Sequence, residues 1–221
     1  MNDILIITGG SNGLGKAIVE YSLDKNLIIC NLDKEESFIQ NENYVEFIGD
    51  VSNEKFVENA IEKVSQLGNI KYLINNAGEP SFKLPSAYNK TDIDKCFKGL
   101  YGMILCSSNV LRKKDQDLKI VNIMSSAALR GNKQESVYCA TKWGEKGYTE
   151  SLKVAYKGTS VKIIGVYPGG INTNFYKNSR DYVTAEKQNT FMNPTEVAKV
   201  ICDNIFSELN LSVADIIIER N

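Results

Sequence analysis

Of 221 residues, 43% are hydrophobic and 24% charged, and Lys+Arg 26 against Asp+Glu 27 leave a net charge of -1. This is the balance of a globular chain long enough to bury a substantial core, and it offers no general attraction to nucleic acid or anionic membrane. There is no histidine, which excludes Ser-His-Asp and Cys-His catalysis and any His-ligated metal.

The five cysteines (Cys30, Cys96, Cys106, Cys139 and Cys202) are odd in number, widely spaced and without a CxxC pair. They read as reduced thiols acting as small apolar fillers, not as a disulfide framework. The N-terminus runs straight into Asp3-Ile4-Leu5-Ile6-Ile7 with no basic leader. The longest uncharged stretch, Ile163 to Tyr176, has 14 residues and contains Pro168, Gly169 and Gly170; a membrane span needs ~20 apolar residues. A soluble, cytoplasmic protein is expected.

Short aliphatic runs alternate with segments of helical period. The runs are Ile4–Ile7, Leu27–Leu32, Tyr44–Ile48, Tyr72–Ile74, Ile120–Met124, Val161–Val166 and Ile216–Ile218. Most are continuous, as expected of parallel strands covered on both faces. After Asn53, the residues Val57, Ala60, Ile61 and Val64 make a buried helical stripe. Thr91-x-x-Asp94 is a candidate cap for a further helix. Asn193-Pro194 opens a last helix, whose apolar stripe is Val197, Val200, Ile201 and Ile205. The alternation predicts one α/β domain over 1–221: a Rossmann-type, doubly wound parallel sheet of about seven strands with helices on both faces.

The first run leads into Thr8-Gly9-Gly10-Ser11-Asn12-Gly13-Leu14-Gly15 and then into a helix. Glycines there permit a tight turn and close approach of backbone to a pyrophosphate, with the helix N-terminus offering free N–H groups. Asp33 follows Gly15 by 18 positions (33 − 15), where a carboxylate can accept from adenosine ribose hydroxyls and repel a 2′-phosphate. NAD is therefore favoured over NADP, with Lys16 and Lys34 as nearby cations that would soften the rule.

Three motifs resemble those of the short-chain dehydrogenase/reductase family: Thr8-Gly-x-x-x-Gly13-x-Gly15, Asn75-Asn76-Ala77-Gly78 and Tyr138-x-x-x-Lys142. Pro168-Gly169 after the sixth run is a fourth match, and the resemblance spans essentially the whole chain. It implies an NAD(P)-dependent oxidoreductase acting on a small alcohol or carbonyl, without a metal. Gly9, Ser11, Asn12, Gly13, Leu14 and Gly15 would hold the cofactor phosphates, with Asp33 at the ribose. Asp50 and Val51 would lie against the adenine, although Asp50 reads equally as the start of a turn. Asn76, Ala77 and Gly78 would let the ribose approach. Pro168, Gly169, Ile171 and Thr173 would meet the carboxamide end.

Tyr138 and Lys142 are four apart and share a helix face. A neighbouring ammonium favours the phenolate, so Tyr138 is the expected acid/base, with Lys142 also at the nicotinamide ribose by resemblance. The family's serine is Ser125, 13 residues before Tyr138 (138 − 125), or its neighbour Ser126. One departure stands out: Gly99 occupies the position of an asparagine that the family often uses to position a relay water. The segment 172–193 has few regular-structure signals and carries Phe175, Tyr176, Tyr182, Phe191 and Met192; it reads either as a substrate lid or as ordinary packing. Gly99–Leu111 is uncharged across three helical turns. By resemblance this helix and the next pair across a two-fold axis, and the final strand at Asp215–Glu219 adds a second contact. The expected assembly is a homotetramer, with a homodimer as the minimum.

Overall fold

The computed structural model describes residues 2–113, 117–177, 182–207 and 213–221. Its seven strands are β1 (Asp3–Thr8), β2 (Ile28–Asp33), β3 (Tyr44–Ile48), β4 (Asn69–Asn75), β5 (Leu118–Ile123), β6 (Val161–Pro168) and β7 (Asp215–Ile218). They pair in parallel in the order β3-β2-β1-β4-β5-β6-β7. The helices are α1 (Gly13–Ser22), α2 (Glu54–Ser65), α3 (Lys90–Lys113), α4 (Ser136–Ala155), α5 (Ala185–Asn189) and α6 (Pro194–Ile205).

The aliphatic runs are continuous because both faces of the sheet are covered. Alternate residues of β1 serve opposite cores: Leu5 and Ile7 pack with α1 and α6, while Ile4 and Ile6 pack with α2, α3 and α4. The chain runs outward from β1 to β3, then returns to place β4 on the other side of β1. That reversal opens a crevice at the carboxyl ends of β1 and β4, the place where such sheets bind ligands.

Asn53 and Asn193 cap α2 and α6, accepting from the N–H of Phe56 and Thr195 at 3.2 and 2.8 Å. Val57, Ala60, Ile61 and Val64 are all buried. Three expectations need correction. The start of α3 is capped by Asn89 and Asp92, which exchange backbone N–H to side-chain bonds at 3.0 and 3.1 Å; Asp94 pairs with Lys90 instead. The buried stripe of α6 is Val197, Ala198, Ile201, Cys202 and Ile205, and Val200 faces out because the stripe is centred one position later. Within 172–193, residues 178–181 lie outside the described residues, and local bonds tie the described ones together. Thr184 caps α5, Ile171 bridges to Met192, and Gln188 Nε2 donates to the Thr173 carbonyl at 2.8 Å.

Candidate active site

The loop from β1 to α1 has a shape that only glycine permits at three positions. Gly9 and Gly13 have φ of 70° and 56°, in the left-handed region. A Cβ on Gly15 would lie 2.0 Å from the Gly9 carbonyl oxygen. Thr8 ties this loop to the end of β4: its Oγ1 accepts the N–H groups of Asn76 and Ala77, each at 3.0 Å. Asn76 Nδ2 donates in return to the carbonyls of Thr8 and Gly9 at 3.1 and 3.0 Å. Asn12 occupies the cap position of α1 but makes no side-chain cap bond, so the first-turn N–H groups are left for an anion.

A cleft of about 530 Å³ runs from this loop across the sheet's carboxyl edge. At one end Asp33 Oδ2 accepts the backbone N–H of Ser11 at 2.9 Å, and Ser11 Oγ donates to the Glu35 carbonyl at 2.6 Å. Glu35 Oε2 accepts from Asn12 Nδ2 at 2.9 Å, so a second carboxylate joins Asp33 at this wall. Lys34 is engaged by Glu79 at 2.6 Å and Asp50 at 3.5 Å, and Lys16 pairs with Glu20 at 3.7 Å. Asp50 starts the turn after β3 and also lines the cleft. Its Oδ1 accepts from Ser52 to start the turn, while its Oδ2 takes Lys98 at 2.8 Å on the cleft wall. Burial alone would raise the Asp50 pKa, but the bonds from Lys98 and Ser52 outweigh it and hold the carboxyl well below the usual range.

At the other end, α4 presents Tyr138 and Lys142, and the turn after β5 presents Ser125. Ser125 is the serine of the pair that lines the cleft; its hydroxyl accepts the Ala127 N–H at 3.1 Å and favours ionisation of the Tyr138 phenol. Lys142 Nζ lies 5.6 Å from the Tyr138 ring centre. Burial pushes the Tyr138 phenol well above its ordinary value; the Glu145 charge adds to this and the Ser125 hydroxyl opposes it.

Gly78, Val51 and Leu14 also line the cleft, as do Pro168, Gly169, Ile171 and Thr173 after β6. Ser11 and Gly15 stand behind the wall, shaping it. Phe175 and Tyr176 line the cleft and pack on a shared ring cluster. Its centre is Phe82, stacked on Tyr182 at 4.5 Å and edge-on to Tyr138 at 5.5 Å. Phe82, Glu35 and Glu145 escaped the sequence reading. For Glu145 a signal existed: Tyr138, Lys142 and Glu145 follow i, i+4, i+7 on one helix face.

These residues fit a dinucleotide. The glycine cradle would be filled by any Cβ, an uncapped helix N-terminus faces the cleft, and a carboxylate pair stands where a ribose would lie. Among the described residues no cluster of side chains suits a metal ion.

Residues 3–184 match the family model described as short chain dehydrogenase. A 3-oxoacyl-[acyl-carrier-protein] reductase of Buchnera aphidicola is 33% identical over 181 residues, covering 76% of this chain and 73% of that protein. The solved structure of ElxO with NADP bound superposes with a TM-score of 0.85 at 24% identity, covering 99% of this chain and 97% of that one. A 3-ketoacyl-(acyl-carrier-protein) reductase from Brucella melitensis complexed with NADH gives a TM-score of 0.85 at 18% identity, covering 97% and 96%.

Proposed function

This chain belongs to the short-chain dehydrogenase family, and we propose that it interconverts a secondary alcohol and a carbonyl by hydride transfer, with Tyr138 as the acid/base. It is an NAD(P)-dependent oxidoreductase, and a bound nicotinamide dinucleotide supplies or accepts the hydride. The observation that carries the reading is the meeting of Tyr138, Ser125 and Lys142 at the end of the cleft away from the glycine loop.

In the reducing direction, a substrate carbonyl oxygen seated between the Ser125 and Tyr138 hydroxyls accepts two hydrogen bonds. As the carbonyl carbon gains hydride, the Tyr138 O–H bond breaks and its proton passes to that oxygen, so no free alkoxide forms. Ser125 and the Lys142 ammonium stabilise the phenolate left behind. Oxidation runs the same proton backwards and requires the phenolate first. Burial and Glu145 both favour the phenol, the form that donates its proton in the reducing direction.

The adenosine end favours NAD over NADP. A 2′-phosphate would face the Asp33 and Glu35 carboxylates, while Lys34 is already engaged by Glu79. Two surfaces support a homotetramer. On α3 and α4, Tyr101 and Trp143 are 54% and 51% exposed beside the uncharged Gly99–Leu111 stripe, and β7 is an edge strand carrying exposed Ile217. Five buried free cysteines agree with a reducing, cytoplasmic setting.

The test is NADH consumption against a panel of ketones, aldehydes and 3-oxoacyl thioesters. Turnover of at least one carbonyl is expected. NADH binding without turnover of any would favour a protein that keeps the binding fold and has lost the chemistry.

A further inference from the structure

Beside the proposed acid/base lies a carboxylate for which the reaction just described has no use. Glu145 sits one turn after Lys142 on α4, and its side chain is 1% exposed. Its Oε2 lies 2.7 Å from Lys142 Nζ, and the lysine side chain is itself 6% exposed. Removing both charges from water costs about as much as their attraction returns, and an apolar residue would fill the same space without that cost. Stability alone gives the acid no reason to be there.

The helix opposite makes room for it. A Cβ on Gly99 of α3 would stand 3.4 Å from Glu145 Oε1 and 3.2 Å from the Ala77 carbonyl oxygen. Any longer side chain would compete with the carboxylate for that volume. Gly78 closes the other side, since a Cβ there would lie 3.6 Å from Lys142 Nζ. The backbone of Glu145 is equally fixed: Thr149 Oγ1 donates to its carbonyl at 2.7 Å and accepts from Asn122 Nδ2 of β5 at 2.9 Å. The bare Cα on α3 and the buried acid on α4 form one arrangement, set against the residues proposed to move the proton.

We propose that Glu145 is a positioning residue of the reaction: seated in the space that Gly99 leaves open, its carboxylate anchors the Lys142 ammonium and offsets the charge that the ammonium presents to Tyr138. This rests on Tyr138 being the acid/base. The groups facing Tyr138 and Lys142 are Glu145 of α4, Glu135 just before it, Cys96 of α3, Ser125 from the turn after β5 and Tyr176 after β6. The two glutamates favour the phenol and the Ser125 hydroxyl favours the phenolate. Glu145 is the one of these that holds Lys142 directly. Its charge favours the phenol, the form that donates to a carbonyl.

Glu145→Gln keeps the shape and an acceptor for Lys142 but removes the charge. The measurement needs no substrate: ultraviolet titration of tyrosinate, taking the difference between each protein and the same protein carrying Tyr138→Phe. In Glu145→Gln the Tyr138 ionisation should begin about one pH unit lower or more, and NADH, followed by its fluorescence, should bind about fivefold more weakly as Lys142 loses its anchor. An onset that is not lower than in the wild type, including no ionisation of Tyr138 before unfolding in either protein, overturns the proposal. If circular dichroism shows that Glu145→Gln does not fold, Gly99→Ser takes its place. Its hydroxyl would donate to the same carboxylate, and a smaller shift of the same sign is expected. The carbonyl panel tests the acid/base reading separately: a shifted titration in a protein that reduces no carbonyl would retain the coupling and remove its role in a reaction.

Discussion

The Asp33 carboxylate at the end of β2 accepts the backbone N–H of Ser11 at 2.9 Å, which locks an anionic side chain to the loop proposed to hold the cofactor phosphates. The group proposed to discriminate at the ribose is thus tied to the proposed phosphate cradle. NADH should bind at least about tenfold more tightly than NADPH, a difference of ~1.4 kcal/mol. Asp33→Ala should narrow that gap by weakening NADH and relieving NADPH. Fluorescence titration of both cofactors decides it, and equal affinities in the wild type would remove the assignment.

The glycine loop admits a harsher test. A methyl group on Gly15 would overlap the Gly9 carbonyl oxygen at 2.0 Å, and that carbonyl also accepts from Asn76 Nδ2. Gly15→Ala should destabilise the fold by roughly 1–3 kcal/mol, as overpacking does, and abolish measurable NADH binding. Gly131→Ala, where a Cβ meets nothing within 4 Å, is the control and should change neither. A Gly15→Ala protein with normal melting and normal binding would contradict the tight turn.

Much of this was legible in the residues. Continuous aliphatic runs announce strands buried on both faces, and Gly9, Gly13 and Gly15 announce the turn, because those signals depend on local chain chemistry. Spacing to Tyr138 favours Ser125 over Ser126, and the turn after β5 places Ser125 on the cleft wall. Glu35, two residues past Asp33, reaches the cleft through a loop conformation that no periodicity encodes. Phe82 meets Tyr182 across 100 positions (182 − 82). Glu145 shares a helix face with Tyr138 and Lys142 by spacing, but an acid within a helix ordinarily reads as a solvated face. Val200 shows the same limit in reverse: its apolar side chain fits the stripe by spacing, but the helix is rotated so that Ala198 and Cys202 are buried instead.

Asp50 carries a pH dependence with a defined sign. Its folded pKa is held below the unfolded value by Lys98 and Ser52 against the opposing effect of burial. Its contribution is therefore present above the unfolded carboxylate value near ~3.9 and lost as pH falls below it. The melting temperature should fall between about pH 5 and pH 2. Asp50→Asn should flatten that fall while costing on the order of 1 kcal/mol at pH 7. Parallel melting curves of the two proteins across that range would contradict the pairing.

The most direct test of the proposed chemistry removes one oxygen atom. Tyr138→Phe keeps the ring against Phe82 and Phe175 and leaves Lys142 paired with Glu145, so the fold and the cofactor site should persist. With a carbonyl that the wild type reduces, kcat should fall by about 10²–10⁴-fold, the scale of a lost general acid, while NADH affinity stays within about twofold, under ~0.5 kcal/mol. A Tyr138→Phe protein that reduces the same carbonyl at near wild-type kcat would contradict the assignment of Tyr138 as the proton donor.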